Sequence, residues 1–150
     1  LEHVVCDLNG TLAEDGLLLD GVAGRIAQLS RTLSVHVLTA DTHGTLGQVV
    51  EQLHAACLSA SVPAPRCERI GAGEEKARYV TELGAERVAA IGNGANDRAM
   101  FRVARLRIGV IGSEGASMSA LLDTDVVVTS PLHALDLLLN PQRLAATLRL

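Results

Sequence analysis

Four short polar clusters interrupt an otherwise aliphatic chain, and each holds a residue type able to handle phosphate or a divalent cation. They are Asp7-Leu8-Asn9-Gly10-Thr11, then Leu38-Thr39-Ala40-Asp41, then Lys76, then Gly92-Asn93-Gly94-Ala95-Asn96-Asp97. An acid placed directly after an apolar run and followed by Gly and Thr gives a carboxylate held at a sharp turn among free backbone N–H groups. Such a carboxylate can attack phosphorus. Neighbouring amides, the Thr39 hydroxyl and the Lys76 ammonium can spread the charge of the transferring phosphoryl oxygens. Asp7, Asn93 and Asp97 offer the oxygen ligands that Mg²⁺ takes.

These clusters need a scaffold that brings them together, and the chain supplies an alternation of short apolar runs with amphipathic stretches. Strands are expected over His3 to Asp7, Val35 to Thr39, Val88 to Ile91, Ile108 to Ile111 and Asp125 to Val128. A further, less regular strand is expected near Cys67 to Ile70, after the break at Pro63 and Pro65. Helical spacing is carried by Val22, Ile26, Leu29 and Leu33, by Leu46, Val49, Val50 and Leu53, and by the segments Glu74 to Leu83 and Asp97 to Ala104. A last helical region starts near Pro131 and is interrupted around Asn140 and Pro141. This order predicts an α/β domain over residues 1–150: three layers around a doubly wound, Rossmann-like, mainly parallel sheet. In such a sheet the ligand site lies at the carboxyl ends of the strands, near the switch in strand order, which is where the polar clusters fall.

Composition narrows the partners. The chain has 150 residues, 48% hydrophobic but 1% aromatic, so its core must be built from Leu, Val, Ile and Ala and it has almost no platform for stacking bases. A net charge of −4 without a basic cluster argues against nucleic acid. Cys6, Cys57 and Cys67 fit neither a disulfide framework nor a zinc site, and no apolar run reaches the ~18 residues of a membrane span. A cytoplasmic setting is expected, although the chain opens on Leu1 and localisation signals ahead of it could be lost. Of the 13 basic residues only Lys76 is Lys. A site needing a compact, rotatable ammonium cannot accept a planar guanidinium, but a solitary lysine on a solvated helix would read the same way.

The four clusters, in this order, resemble motifs I to IV of the haloacid dehalogenase (HAD) superfamily, from Asp7 through about Val128. The resemblance is nearest in character to the phosphorylation domain of P-type cation ATPases, through Leu38 to Asp41 and Ile91 to Met100. It implies a phosphatase-like hydrolase in which Asp7 is the nucleophile and Thr39 and Lys76 bind phosphate. It also implies that Asp7, the backbone carbonyl of Asn9, Asn93 and Asp97 hold Mg²⁺.

Two departures bear on the chemistry. HAD phosphatases usually carry Asp two positions after the nucleophile as general acid/base, and here that position is Asn9, whose amide cannot shuttle a proton. Leaving-group protonation and water activation should then lose roughly 10² to 10⁴ in rate. Asn93 also stands where Asp is usual and brings no charge to the metal. The intervals from Asp7 to Thr39 and from Thr39 to Lys76 leave no room for a cap domain, so the site should be open to a phosphorylated substrate of unspecified class or covered by a second copy in a homo-oligomer.

Simpler readings exist for single residues. Asp7 could be a turn acid, and Asn93 to Asp97 an Asx-rich loop ending in a helix cap. Asp41 could cap the next helix or line the site. His36 fits a satisfied core or edge position, His43 a solvated one, and Cys6 a small buried strand residue pointing away from Asp7. Two functions remain open: a slow Mg²⁺-dependent phosphoryl-transfer enzyme working through an aspartyl phosphate, and a degenerate module that binds Mg²⁺, phosphate or a protein partner in a regulatory role.

Overall fold

The aliphatic runs pair edge to edge. In the computed structural model, which describes residues 1–149, β1 (His3–Asp7), β4 (Ser34–Thr39), β5 (Arg66–Arg69), β6 (Val88–Gly92), β7 (Leu106–Val110) and β8 (Val126–Val128) form one sheet in the order β5-β4-β1-β6-β7-β8. Every pairing in it is parallel. The central strands are buried on both faces, as continuous Val/Ile/Ala runs demand.

Helices cover both faces. Alternation along the strands separates two apolar clusters, because successive side chains point to opposite sides. Val4, Cys6, Val35, Val37, Ala89 and Ile91 pack toward α1 (Val22–Leu29), α2 (Leu46–Ser59), α6 (Pro131–Leu139) and α7 (Pro141–Leu148). Val5, Leu38, Val88 and Ala90 pack toward α3 (Gly73–Leu83), α4 (Arg98–Val103) and the short α5 (Met118–Leu121). Local chemistry sets several helix starts. Asp41 Oδ1 accepts the Leu46 N–H at 3.0 Å, so Asp41 does serve to cap the entrance to α2. Ser130 Oγ accepts the Leu132 N–H at 3.1 Å, with Pro131 at the first helical position of α6.

Three features differ from the periodicity. A hairpin, β2 (Ala13–Glu14) and β3 (Leu17–Leu18), follows the first cluster, and its two-residue strands are too short to show alternation. Residues Ala95–Asp97 form a 3₁₀ turn before α4, tightened because Asp97 Oδ2 accepts the N–H groups of Asn93 and Gly94, each at 3.0 Å. The helix α5 is a single turn that the sequence pattern did not mark. No cap domain is inserted between the clusters among the described residues, and no helix is long and apolar enough to cross a membrane.

Candidate active site

The strand order reverses direction at β1, and the loops leaving β1 and β6 open side by side at the carboxyl end of the sheet. Asp7 closes β1, Thr39 closes β4, and Gly92 closes β6 just before the Asn93–Asp97 loop. Gly92 is required there: a Cβ on it would lie 2.5 Å from Asp97 Oδ2, so any side chain would push the carboxylate away.

Lys76 comes from α3, where it and Val80 form the buried face one turn apart. Its ammonium is fully buried and donates to Asp7 Oδ1 at 2.6 Å and to Asp97 Oδ1 at 2.8 Å. The solitary lysine is therefore not on a solvated surface. Asp97, 0% exposed, spends its other oxygen on the backbone of its own loop.

On the other side of Asp7 a single hydroxyl faces two acceptors. Thr11 Oγ1 lies 3.3 Å from Asp7 Oδ2 and 3.1 Å from Asn93 Oδ1. One proton cannot serve both, so two oxygens converge with a deficit of positive charge between them. Asn93 is oriented by donating its Nδ2–H to the Gly115 carbonyl at 3.1 Å, which turns its Oδ1 toward Thr11. Thr11 thus joins the site, although only its place in the first cluster pointed to it. Asn9 and Thr39 form a separate pair: Asn9 Nδ2 donates to Thr39 Oγ1 at 3.3 Å, and Thr39 also accepts the Asp41 N–H at 2.9 Å. Asn9 Oδ1 is buried without a hydrogen-bond partner.

With both carboxylates ionised, the cluster of two carboxylates and one ammonium would carry a net negative charge in a buried setting. Burial pushes the Asp7 carboxyl up to about 7, the Asp97 carboxylate adds to the rise, and Lys76 opposes it. Burial works against the charge on Lys76, but the two carboxylates outweigh it and raise its pKa. Lysine stays charged, and the unmet demand is for more positive charge beside Asp7.

The remaining candidates lie elsewhere. His36 is buried on β4, in contact through its two ring nitrogens with His3 at 3.1 Å and the Tyr79 hydroxyl at 2.8 Å. His43 is exposed in the loop after β4, and Cys6 is buried in the core.

No protein-family model matches the chain. Over 64 residues, 43% of this chain and 69% of its relative, it is 50% identical to an uncharacterized protein of Methanocaldococcus jannaschii. Among solved structures it is similar to a HAD superfamily hydrolase of subfamily III A from Legionella pneumophila, with 20% identity, a TM-score of 0.66 and 99% of this chain and 87% of that one covered. A 3-deoxy-D-manno-octulosonate 8-phosphate phosphatase from Moraxella catarrhalis, solved with a magnesium ion, a phosphate ion and KDO, gives 15% identity and a TM-score of 0.66 over 99% of this chain and 94% of that one. A zinc-transporting PIB-type ATPase gives 22% identity and a TM-score of 0.65 over 87% of this chain, but 20% of the transporter. The chain belongs to one family with the Methanocaldococcus jannaschii protein, and its fold is the capless HAD-like fold.

Proposed function

We propose that this chain is a Mg²⁺-dependent, phosphatase-like phosphoryl-transfer enzyme that forms an aspartyl phosphate on Asp7. The observation that carries this reading is the completely buried Lys76 ammonium, 2.6 Å from Asp7 and 2.8 Å from Asp97 at the switch point of the sheet. A buried ion cluster is poor value for stability alone, because desolvation offsets most of the attraction. Its position, beside an acid at the end of the first strand, suits a nucleophile that must be held in place.

The oxygens of this chain fit a hard cation. Asp7 and Asn93 present acceptors that share one hydroxyl donor, and a divalent ion with oxygen ligands relieves that shortage. The residues to hold it are Asp7, the backbone carbonyl of Asn9, and Asn93. Asp97 stands behind them, holding Lys76 and the loop with both oxygens, so we place it as a positioning residue and not as a direct ligand. When bound, Mg²⁺ supplies Lewis-acid neutralisation of phosphoryl charge.

In this reading Asp7 attacks phosphorus through one oxygen while Lys76 stays within reach of the phosphoryl group. The Thr39 hydroxyl, fixed as an acceptor by the Asp41 N–H, is free to donate its proton to a phosphoryl oxygen. Asn9 can hydrogen-bond but not transfer a proton, so alkyl phosphates should react slowly and aryl or acyl phosphates faster. The second reading, a binding module without useful turnover, draws on the same Asn9 and on Asn93. An assay of the purified chain against p-nitrophenyl phosphate and a phosphometabolite panel, with and without Mg²⁺, separates the two. Mg²⁺-dependent release of phosphate that disappears in Asp7→Asn supports the enzyme. Mg²⁺ binding with no release on any ester supports the module.

A further inference from the structure

Arg69 closes β5, the strand beside β4, and its Cα pairs with that of Thr39, the hydroxyl that binds phosphate in the proposed reaction. Paired residues on neighbouring strands stand about 4.8 Å apart and share a face of the sheet, so Arg69 and Thr39 leave the carboxyl end side by side. The Ile70 N–H donates to the Thr39 carbonyl at 2.8 Å and keeps the two chains together one residue further on. The connector from Arg69 to Lys76 then follows the rim of the site. A Cβ on Gly71 would lie 2.8 Å from Ala40 Cβ, and one on Gly73 2.9 Å from the Asn96 carbonyl oxygen, so this segment touches the second cluster and then the fourth.

The Arg69 guanidinium is anchored there by direct bonds. Its Nη2 donates to Asp41 Oδ2 at 2.9 Å, and the Asp41 N–H donates to Thr39 Oγ1 at 2.9 Å. These two bonds and the length of one aspartate put Arg69 Nη2 within about 10 Å of the Thr39 hydroxyl. The Asp41 side chain is 9% exposed and its other oxygen accepts the Leu46 N–H at 3.0 Å, so the anchor is itself fixed. Asp41 has φ 56°, a left-handed conformation that costs a residue other than glycine some strain, and in it one residue faces Thr39, α2 and Arg69 at once. The Arg69 side chain is 70% exposed and makes no other hydrogen bond among the described residues, which leaves all but one of its N–H donors open. An exposed ion pair adds little to stability. Arg98, next to the fourth cluster, offers no equivalent, because its Nε is bound to Asp123, which Arg102 shares.

We infer that Arg69 is a specificity-determining residue that selects small phosphate esters carrying a second oxyanion, a carboxylate or another phosphate, which docks on its open N–H donors. The inference rests on the phosphoryl-transfer reading above. A planar guanidinium matches either oxyanion through a forked pair of charge-assisted hydrogen bonds. The tether through Asp41 sets its distance from Thr39, so the second anion has to lie only a few carbon atoms from the phosphoryl group.

The test pairs esters that differ only in the far group, with Mg²⁺ present. 3-Phosphoglycerate and fructose 1,6-bisphosphate carry a carboxylate and a second phosphate where glycerol 3-phosphate and fructose 6-phosphate carry a hydroxyl. Each is followed as kcat/KM, or as an inhibition constant against acetyl phosphate where the ester turns over too slowly. The wild-type chain should prefer the anionic member of at least one pair by roughly 10- to 100-fold, and the pair that shows it identifies the oxyanion. Arg69→Gln should remove that preference, chiefly through KM or the inhibition constant of the anionic member. Arg69→Lys should keep part of it, and added salt should shrink it. No preference in the wild-type chain, or an equal loss on both members of a pair in Arg69→Gln, as a role confined to steadying Asp41 and Thr39 would give, would overturn the assignment while leaving the phosphoryl-transfer reading intact. Failure of the wild-type chain to form any covalent phosphate from acetyl phosphate would overturn that reading, and this inference with it.

Discussion

The two ends of the central sheet each bury a chain of polar side chains, and they treat charge in opposite ways. At the amino end His3, His36 and Tyr79 form a row of contacts at 3.1 and 2.8 Å, beside a cleft of about 430 Å³ lined in part by His36, Ser34, Pro63 and Arg66. Burial, then the neighbouring His3 and Arg66, hold the His36 pKa down at about 4, so His36 is neutral near pH 7 and both of its ring nitrogens are matched. At the carboxyl end, the Lys76 ammonium sits between Asp97 and Asp7, whose carboxyl burial pushes up to about 7, Thr11 is one donor for two acceptors, and Asn9 Oδ1 has no partner. This cleft lies at the satisfied end. Donor and acceptor accounting, more than cavity size, marks the end at which a ligand would be held.

That comparison can be broken most sharply by removing the ammonium. Lys76→Met should cost roughly 3–5 kcal/mol of stability, because it leaves two buried carboxylates facing each other, and it should abolish Mg²⁺-dependent phosphoryl transfer. Urea unfolding of the variant near neutral pH reads the first effect. A loss below ~1 kcal/mol would mean that the cluster is not held as an ion pair network.

A smaller effect is expected at Asn9. Asn9→Asp should raise turnover of an alkyl phosphate by roughly tenfold or more, measured as kcat at saturating Mg²⁺. An unchanged rate in a folded, Mg²⁺-binding variant would show that proton transfer at this position does not limit the protein.

The smallest effect is on the pH dependence of stability without metal, where the two ends oppose each other. Asp7 has a folded pKa of about 7 against about 3.9 in an unfolded chain, so the native state binds the extra proton between these values and stability falls as pH rises through that window. His36 has a folded pKa of about 4 against about 6.5 unfolded, so there the unfolded state binds the extra proton and stability rises with pH. The wild-type Tm should therefore vary little from pH 4.5 to 6.5. Asp7→Asn should leave a rising profile and His36→Gln a falling one. Parallel profiles in the two variants would contradict the assignment of opposite charge behaviour to the two ends.

Much of this was legible in the residues, and the limits have physical causes. Strands such as His3–Asp7 and Val88–Gly92 are aliphatic runs buried on both faces, so composition and length alone mark them. Arg66–Arg69 is an edge strand carrying charged side chains, and its signal was correspondingly faint. The hairpin over residues 13–18 left no pattern because its strands are two residues long, yet it seats His43. At the site, residue type and order placed Asp7, Asn9, Thr39, Lys76, Asn93 and Asp97 near one another. Type could not reveal that both Asp97 oxygens are used inside the protein, or that Asp41 is taken up by a cap and an arginine, because such commitments exist only once partners from distant loops arrive.

The central claim is that Asp7 takes up a phosphoryl group, and the most direct measurement is mass spectrometry of the chain after brief exposure to acetyl phosphate. With Mg²⁺, the intact mass should rise by one phosphoryl group, the modification should map to Asp7 and be discharged by hydroxylamine, and it should vanish on chelation or in Asp7→Asn. A chain that binds Mg²⁺ yet gains no mass, or gains it on a residue other than Asp7, would contradict the account.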